Sequence, residues 1–300
     1  MGMFLGLANG DIPRDPTGFS ADLVNGWAER GIRCLAFGFP SIPQSATAEA
    51  AKELRPLLDD HGIHVSQYVG VNANLASIDP AARAEGLERI RAAIPAAQAL
   101  DTTMIQSGAG TNSPTATSHY SPHPDNYSDR AREGLIEALS TIAPEIADAG
   151  LLYSLECHLL TTMRSVEVIR EVLDAVDSDV IVANFDPVNM LDSPTAVYDN
   201  AARMAHMVDV MVPTDGPSRY GPTSHIKDVV LHDKLVSHID EVAPGKGVLD
   251  LDAFFAAATK LPTGRRNGTA LIVEHLGPDA SYEGIDLVRE AAIARGVELL

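Results

Sequence analysis

Eight short aliphatic runs recur along this chain, each followed by a stretch with helical spacing. That alternation restricts the available folds more than any other feature. The runs cover residues 3–9, 31–38, 63–69, 102–107, 151–157, 180–185, 224–230 and 269–275. Most are apolar at successive positions rather than alternate ones, as parallel strands covered on both faces should be. The helical stretches are 20–30, 46–61, 81–100, 128–149, 164–176, 194–207, 251–260 and 282–294. Asp79-Pro80 reads as an N-cap followed by proline at the first helical position, and Gly150 as a C-cap. Gly31-Ile32 and Gly62-Ile63 mark two helix-to-strand junctions. Eight such units in 300 residues predict an α/β protein with a (β/α)8 TIM barrel. An open doubly wound sheet is the alternative. Against it, no G-x-G-x-x-G follows the first run and no Walker A sequence occurs. No Gly/Ser-rich or Pro-rich linker divides the chain, so residues 1–300 are expected to form a single domain.

Charge narrows the function. With 22 Lys+Arg against 41 Asp+Glu, the formal net charge is −19, a field that repels a phosphate backbone. Arg265-Arg266 is only a pair, so no nucleic-acid partner is expected. No apolar stretch approaches the roughly 18 residues a membrane span needs, and the start of the chain lacks the basic region of a signal peptide. Cys34 and Cys157 each lie in an apolar run and read as buried free thiols, which fits a cytoplasmic location.

Two connections are long. Residues 108–127 are too polar for a core and are expected to form part of a lid. Residues 231–250 contain Pro244-Gly245-Lys246-Gly247, and 208–223 is irregular.

In a barrel, catalytic side chains gather at the C-terminal strand ends. Glu156, Asp186, His225 and Glu274 fall at or near such ends, although His225 stands early in its run. Taken singly, each could be a helix cap or an ion-pair partner. Together, three carboxylates and a histidine can bind one divalent cation, which can polarise a carbonyl while a carboxylate moves the neighbouring proton.

Four segments carry a family resemblance: Leu155-Glu156-Cys157-His158, Phe185-Asp186-Pro187-Val188-Asn189, Ser224-His225-Ile226-Lys227-Asp228 and Ile272-Val273-Glu274-His275. In that order they resemble the sugar phosphate isomerase/epimerase family with a xylose isomerase-like TIM barrel. Ketose 3-epimerases, hydroxypyruvate isomerase, inosose dehydratase and, more distantly, endonuclease IV belong to that group. The resemblance implies that Glu156, Asp186, His225 and Glu274 ligate a divalent metal, Mn²⁺ before Mg²⁺ or Co²⁺, with Zn²⁺ less suited to the donor set. It further implies that Glu156 and Glu274 are the catalytic acid/base pair on either face of the carbon that loses its proton. The activity implied is isomerisation or epimerisation of a small keto-sugar or sugar acid through a metal-bound enediolate.

Substrate-binding roles are expected for His158, which shares the face of Glu156, for Asn189, for Lys227 near the developing charge, and for Gln106 at the end of the fourth run. Asp228 is expected to orient His225 or Lys227. Trp27 reads as a core residue. The family's basic residue after the seventh-strand histidine is missing, which leaves His232 or His238 as substitutes. A lyase on the same scaffold, an inosose-type dehydratase or a C-glycoside or 3-keto-glycoside cleaving enzyme, begins with the same proton removal. A non-catalytic carbohydrate-binding barrel would not need four metal ligands. Related barrels often form homo-oligomers, dimers or tetramers, but the sequence offers no exposed patch that assigns such an assembly here, and the oligomeric state stays open.

Overall fold

A computed structural model describes residues 2–8 and 12–300. Parallel strands β1 (Gly2–Ala8), β2 (Cys34–Phe37), β3 (His64–Tyr68), β4 (Met104–Gly108), β5 (Leu152–Glu156), β6 (Ile181–Phe185) and β7 (Tyr220–Ile226) follow one another round a sheet. The sheet closes where β10 (Thr269–Val273) pairs with both β7 and β1, with Met3 opposite Thr269 and Leu7 opposite Val273. The expected (β/α)8 barrel is therefore present. A two-residue strand, β11 (Glu298–Leu299), adds to the start of β1. The run expected over 3–9 ends on a residue outside the described ones.

The connecting helices are α1 (Ala21–Glu29), α2 (Thr47–Asp60), α3 (Pro80–Ala99), α4 (Asp129–Asp148), α5 (Val166–Val176), α6 (Pro194–Tyr198), α7 (Asn200–Met211), α8 (Leu251–Ala258) and α9 (Pro278–Ala294). Short polar side chains start most of them. Asp79 accepts from the Ala81 amide at 2.9 Å, and Ser20, Ser128, Ser165, Ser193 and Asp250 each accept from a first-turn amide. Gly150 follows α4 at φ +68°, the left-handed conformation that glycine adopts without steric cost.

Two expectations need correction. The stretch 194–207 is two helices because Asn200 is tied elsewhere. Its Nδ2 donates to the Val197 and Val248 carbonyls, and its Oδ1 accepts from the Asp250 amide, drawing the chain towards the 248–250 loop. The run 224–230 is not one strand. β7 begins at Tyr220, inside the stretch read as irregular, and ends at Ile226. Beyond Lys227, β8 (Asp228–His232) leaves the barrel and pairs antiparallel with β9 (His238–Val242). The long connection after the seventh barrel strand is thus largely a hairpin.

Apolar surface is buried mainly between barrel and helices, where Trp27, Phe185, Phe254 and Tyr153 are enclosed. Trp27 is a core residue, as expected, and its Nε1 donates to the Tyr282 hydroxyl. Cys34 and Cys157 are buried free thiols. The barrel interior is divided. A small apolar cluster of Ala8, Cys34, Ala36, Ala270 and Ile272 lines the β1, β2 and β10 side. Gln67, Gln106, Asn184 and Thr223 fill the β3, β4, β6 and β7 side as a chain of hydrogen bonds. No helix among the described residues is long and apolar enough to cross a membrane.

Candidate active site

The four proposed ligands meet at the C-terminal mouth of the barrel. Glu156 ends β5, Asp186 follows β6, Glu274 follows β10, and His225 is the penultimate residue of β7. His225 therefore stands at its strand end like the others; it looked early only because β7 starts four residues before the aliphatic run. One ligand atom from each residue lies within 4.8 Å of the other three, and all four residues are buried. His225 Nδ1 is 3.0 Å from Glu274 Oε1, 3.6 Å from Glu156 Oε1 and 3.7 Å from Asp186 Oδ2.

Neighbouring side chains hold this set in place. His225 Nε2 is 3.0 Å from Gln67 Oε1. An amide oxygen only accepts, so the ring carries its proton on Nε2 and turns Nδ1 to the carboxylates. Glu156 is gripped by three amides: Asn189 Nδ2 reaches Oε1 at 2.8 Å, while Gln106 Nε2 and Asn184 Nδ2 reach Oε2 at 2.5 and 3.1 Å. Lys227, only 1% exposed, places Nζ 2.7 Å from Asp186 Oδ2, 2.6 Å from Glu274 Oε1 and 3.0 Å from Asn189 Oδ1.

Charge accounts for the titration of the cluster. Burial favours the neutral form of each group. In Glu156 burial prevails over the His225 charge, and its carboxyl is pushed up. In Glu274 the charges of His225 and Lys227 overcome burial and hold the carboxyl well below the usual range. Burial of Asp186 is likewise outweighed, chiefly by Lys227. Burial would lower His225, but Glu274 and Glu156 raise it well above an ordinary imidazole.

A divalent cation fits this donor set. Asp186 Oδ2, Glu274 Oε1 and His225 Nδ1 are buried and converge, yet none has an aligned hydrogen bond; Lys227 is at ion-pair distance without that alignment. With His225 neutral, as a metal ligand must be, three carboxylates against one ammonium leave two negative charges, the deficit a divalent ion makes good. The carboxylates that favour a proton on His225 Nδ1 would equally favour a cation there, with the imidazole neutral.

Above the cluster is a cavity of about 220 Å³. Glu156, His225 and Glu274 line it, as do the apolar Ala8, Ala36, Val69 and Gly70, together with Gln67 and Gln106. His119 and Tyr120, from the connection expected to act as a lid, also line it, as does His275.

The other sequence-derived residues take different positions. Gln106 lines the cavity and also holds Glu156. Asn189 and Lys227 are linked to the carboxylates beneath it. His158 stacks against Tyr120, with ring centroids 4.6 Å apart, and its Nδ1 accepts from the Leu160 amide; Tyr120 rather than His158 forms the wall. Burial, with the Lys227 charge second, lowers the His158 pKa to about 4. Asp228 orients neither His225 nor Lys227. Its carboxylate accepts from the amides of Val229, Gly245, Gly247 and Leu249 at 2.8–3.0 Å, anchoring the loop after the hairpin. His232 and His238 lie on the hairpin, not in the cavity wall.

Sequence reasoning passed over Gln67, Asn184 and His275 as parts of this site, and placed His119 and Tyr120 only within the lid expected over 108–127. Gln67 and Asn184 carried a usable signal, since a polar residue inside an otherwise buried strand is costly unless paired. His275 has φ +63°, uncommon for a non-glycine residue, and its Nδ1 lies 3.0 Å from Glu241 Oε2 on the hairpin.

A closed eight-stranded barrel with an acidic, histidine-containing cluster at its C-terminal mouth defines the class. The chain belongs to the xylose isomerase-like TIM barrel family, whose model matches residues 27–296. No curated protein sequence matches it. Among solved structures it is similar to a xylose isomerase-like TIM barrel protein from Mycobacterium smegmatis in complex with magnesium (TM-score 0.68, 15% identity, 98% of this chain and 96% of that one). It is also similar to 3-keto-D-glucoside 4-epimerase from E. coli (TM-score 0.68, 16% identity, 96% and 99%). A third is a probable 3-DHS dehydratase from Bacillus anthracis (TM-score 0.68, 14% identity, 96% and 99%). At such low identity these likenesses speak to the fold.

Proposed function

We propose that the protein is a divalent-metal-dependent isomerase or epimerase of a small keto-sugar or sugar acid. The observation that carries this reading is the convergence of potential ligand atoms from four buried residues, two of them the glutamates that reach one cavity. Glu156, Asp186, His225 and Glu274 would hold the ion, Mn²⁺ in preference to Mg²⁺ or Co²⁺. When bound, it supplies Lewis-acid polarisation of the substrate carbonyl. One of Glu156 and Glu274 takes the proton from the carbon beside the carbonyl, and the other returns a proton. Lys227, held between Asp186 and Glu274, offsets negative charge at the site. Gln106 fixes Glu156 and offers an amide edge to a sugar hydroxyl, and Tyr120 and His119 keep water from the cavity. Asn189 positions Glu156 and Lys227 through its two amide atoms, and His158 backs Tyr120. The cavity lies below the roughly 300–1,000 Å³ of drug-sized sites, which supports a compact substrate over one with a large aglycone.

The test is proton exchange in deuterated water with a panel of ketoses and keto-acids, using protein reloaded with Mn²⁺. Deuterium should enter the carbon beside the carbonyl, with the substrate returned as an isomer or epimer. Loss of water with the same exchange would assign a lyase instead. Glu274→Gln should abolish exchange and bind about one ion fewer per chain. No exchange with any member of the panel, or undiminished metal binding by Glu274→Gln, would overturn the reading.

A further inference from the structure

A second cluster of metal-ligating side chains lies on the outer face of the β8–β9 hairpin, away from the cavity. His232 and His238 are directly opposed across the antiparallel pair. Asp240 is two residues beyond His238 and so projects on the same face. His232 Nε2 is 2.8 Å from Asp240 Oδ2, His238 Nε2 is 2.9 Å from Asp240 Oδ1, and the two rings are 5.3 Å apart. One ligand atom from each of the three lies within 4.8 Å of the others. His232 Nε2 is buried and, despite the nearby carboxylate, has no aligned hydrogen bond.

We propose that His232, His238 and Asp240 form a second divalent-cation site, for Zn²⁺. Two imidazoles and one carboxylate are the donors of a borderline ion, and three protein ligands leave a fourth position for water. The donor set is softer than the three carboxylates and one histidine in the barrel mouth, so the two sites differ in preference. A two-stranded hairpin is only marginally stable by itself, and an ion bridging both strands would clip it shut. The opposite face of the hairpin presents Glu241 to His275 in the cavity wall, so the clip would also steady the rim of the cavity.

The experiment is Zn²⁺ titration of chelator-stripped protein by calorimetry, with zinc content measured after gel filtration. His232→Asn and His238→Asn should each bind about one equivalent fewer than the wild type, whereas Glu274→Gln keeps the equivalent that those variants lose. A second readout needs no variant: Zn²⁺ should slow amide exchange across residues 228–242 in the wild type. Zinc binding undiminished in both histidine variants, or hairpin exchange that ignores zinc, would overturn the proposal. Neither result depends on turnover at the barrel mouth.

Discussion

Gln67 shows how much of the site depends on residues that need not touch a substrate. Its amide oxygen orients His225, and its Nε2 donates to Gln106, which in turn holds Glu156. One side chain thereby helps position two proposed ligands on β5 and β7. Partners of metal-bound histidines typically contribute 10–100-fold in affinity. Gln67→Leu should accordingly weaken Mn²⁺ binding by about 10–100-fold, measured by calorimetry. An unchanged affinity would mean that His225 is oriented by other contacts. Asn189 has a comparable part, joining Glu156 Oε1 to Lys227. Its replacement by Ala strands a buried carboxylate oxygen and removes a partner of the ammonium, so a loss of about 1–3 kcal/mol in urea-unfolding stability is expected.

At the level of elements, the passage from β7 to β8 departs most from the sequence pattern. The apolar run does continue past Lys227, but Asp228 turns the chain. Four amides donate to one buried carboxylate, three of them from residues 245–249, and this fastens the loop to the base of the hairpin. Gly247 is needed there because a Cβ would run into the Val229 carbonyl and the Asp228 carboxylate. Asp228→Ala leaves four donors without their acceptor and should cost about 3 kcal/mol or more. Hydrogen exchange would report the damage first in residues 228–249. Uniform destabilisation without local loss of protection would contradict this anchoring role. The aliphatic run held no mark of the turn, since Val229 and Val230 suit a hairpin as well as a barrel strand.

Over the whole molecule, closure of the barrel buries ionisable groups that no local pattern marks as buried. His64, 8% exposed, lies edge-on to Phe4 with ring centroids 4.6 Å apart. Burial, with the Arg266 charge second, lowers its pKa from 6.5 to about 4. The unfolded chain therefore takes up this proton first as pH falls. The stabilisation is complete above the unfolded value near 6.5 and is lost as pH drops towards the folded value, about 3 kcal/mol in total. His64→Gln should lack that component of the acid slope in urea titrations between those limits. An identical slope in the variant would show that His64 is protonated in the folded protein.

The eight alternating units and the four clustered strand-end residues were legible in the chain because both depend on short-range regularities. Aliphatic runs bounded by helical spacing specify buried parallel strands, and parallel strands need crossover helices, so the alternating α/β order followed from local pattern, while eight units favoured a barrel over an open sheet. Glu156, Asp186 and Glu274 stood out because a carboxylate directly beside such a run must emerge at the rim. The tertiary structure decided what shares that rim. Only barrel closure brings β10 beside β1 and β7, sets Gln67 under His225, inserts Lys227 between two carboxylates and lays Tyr120 over the mouth. These contacts join residues from separate strands and loops through the stagger of the closed sheet, a property of the assembled barrel that no single segment encodes.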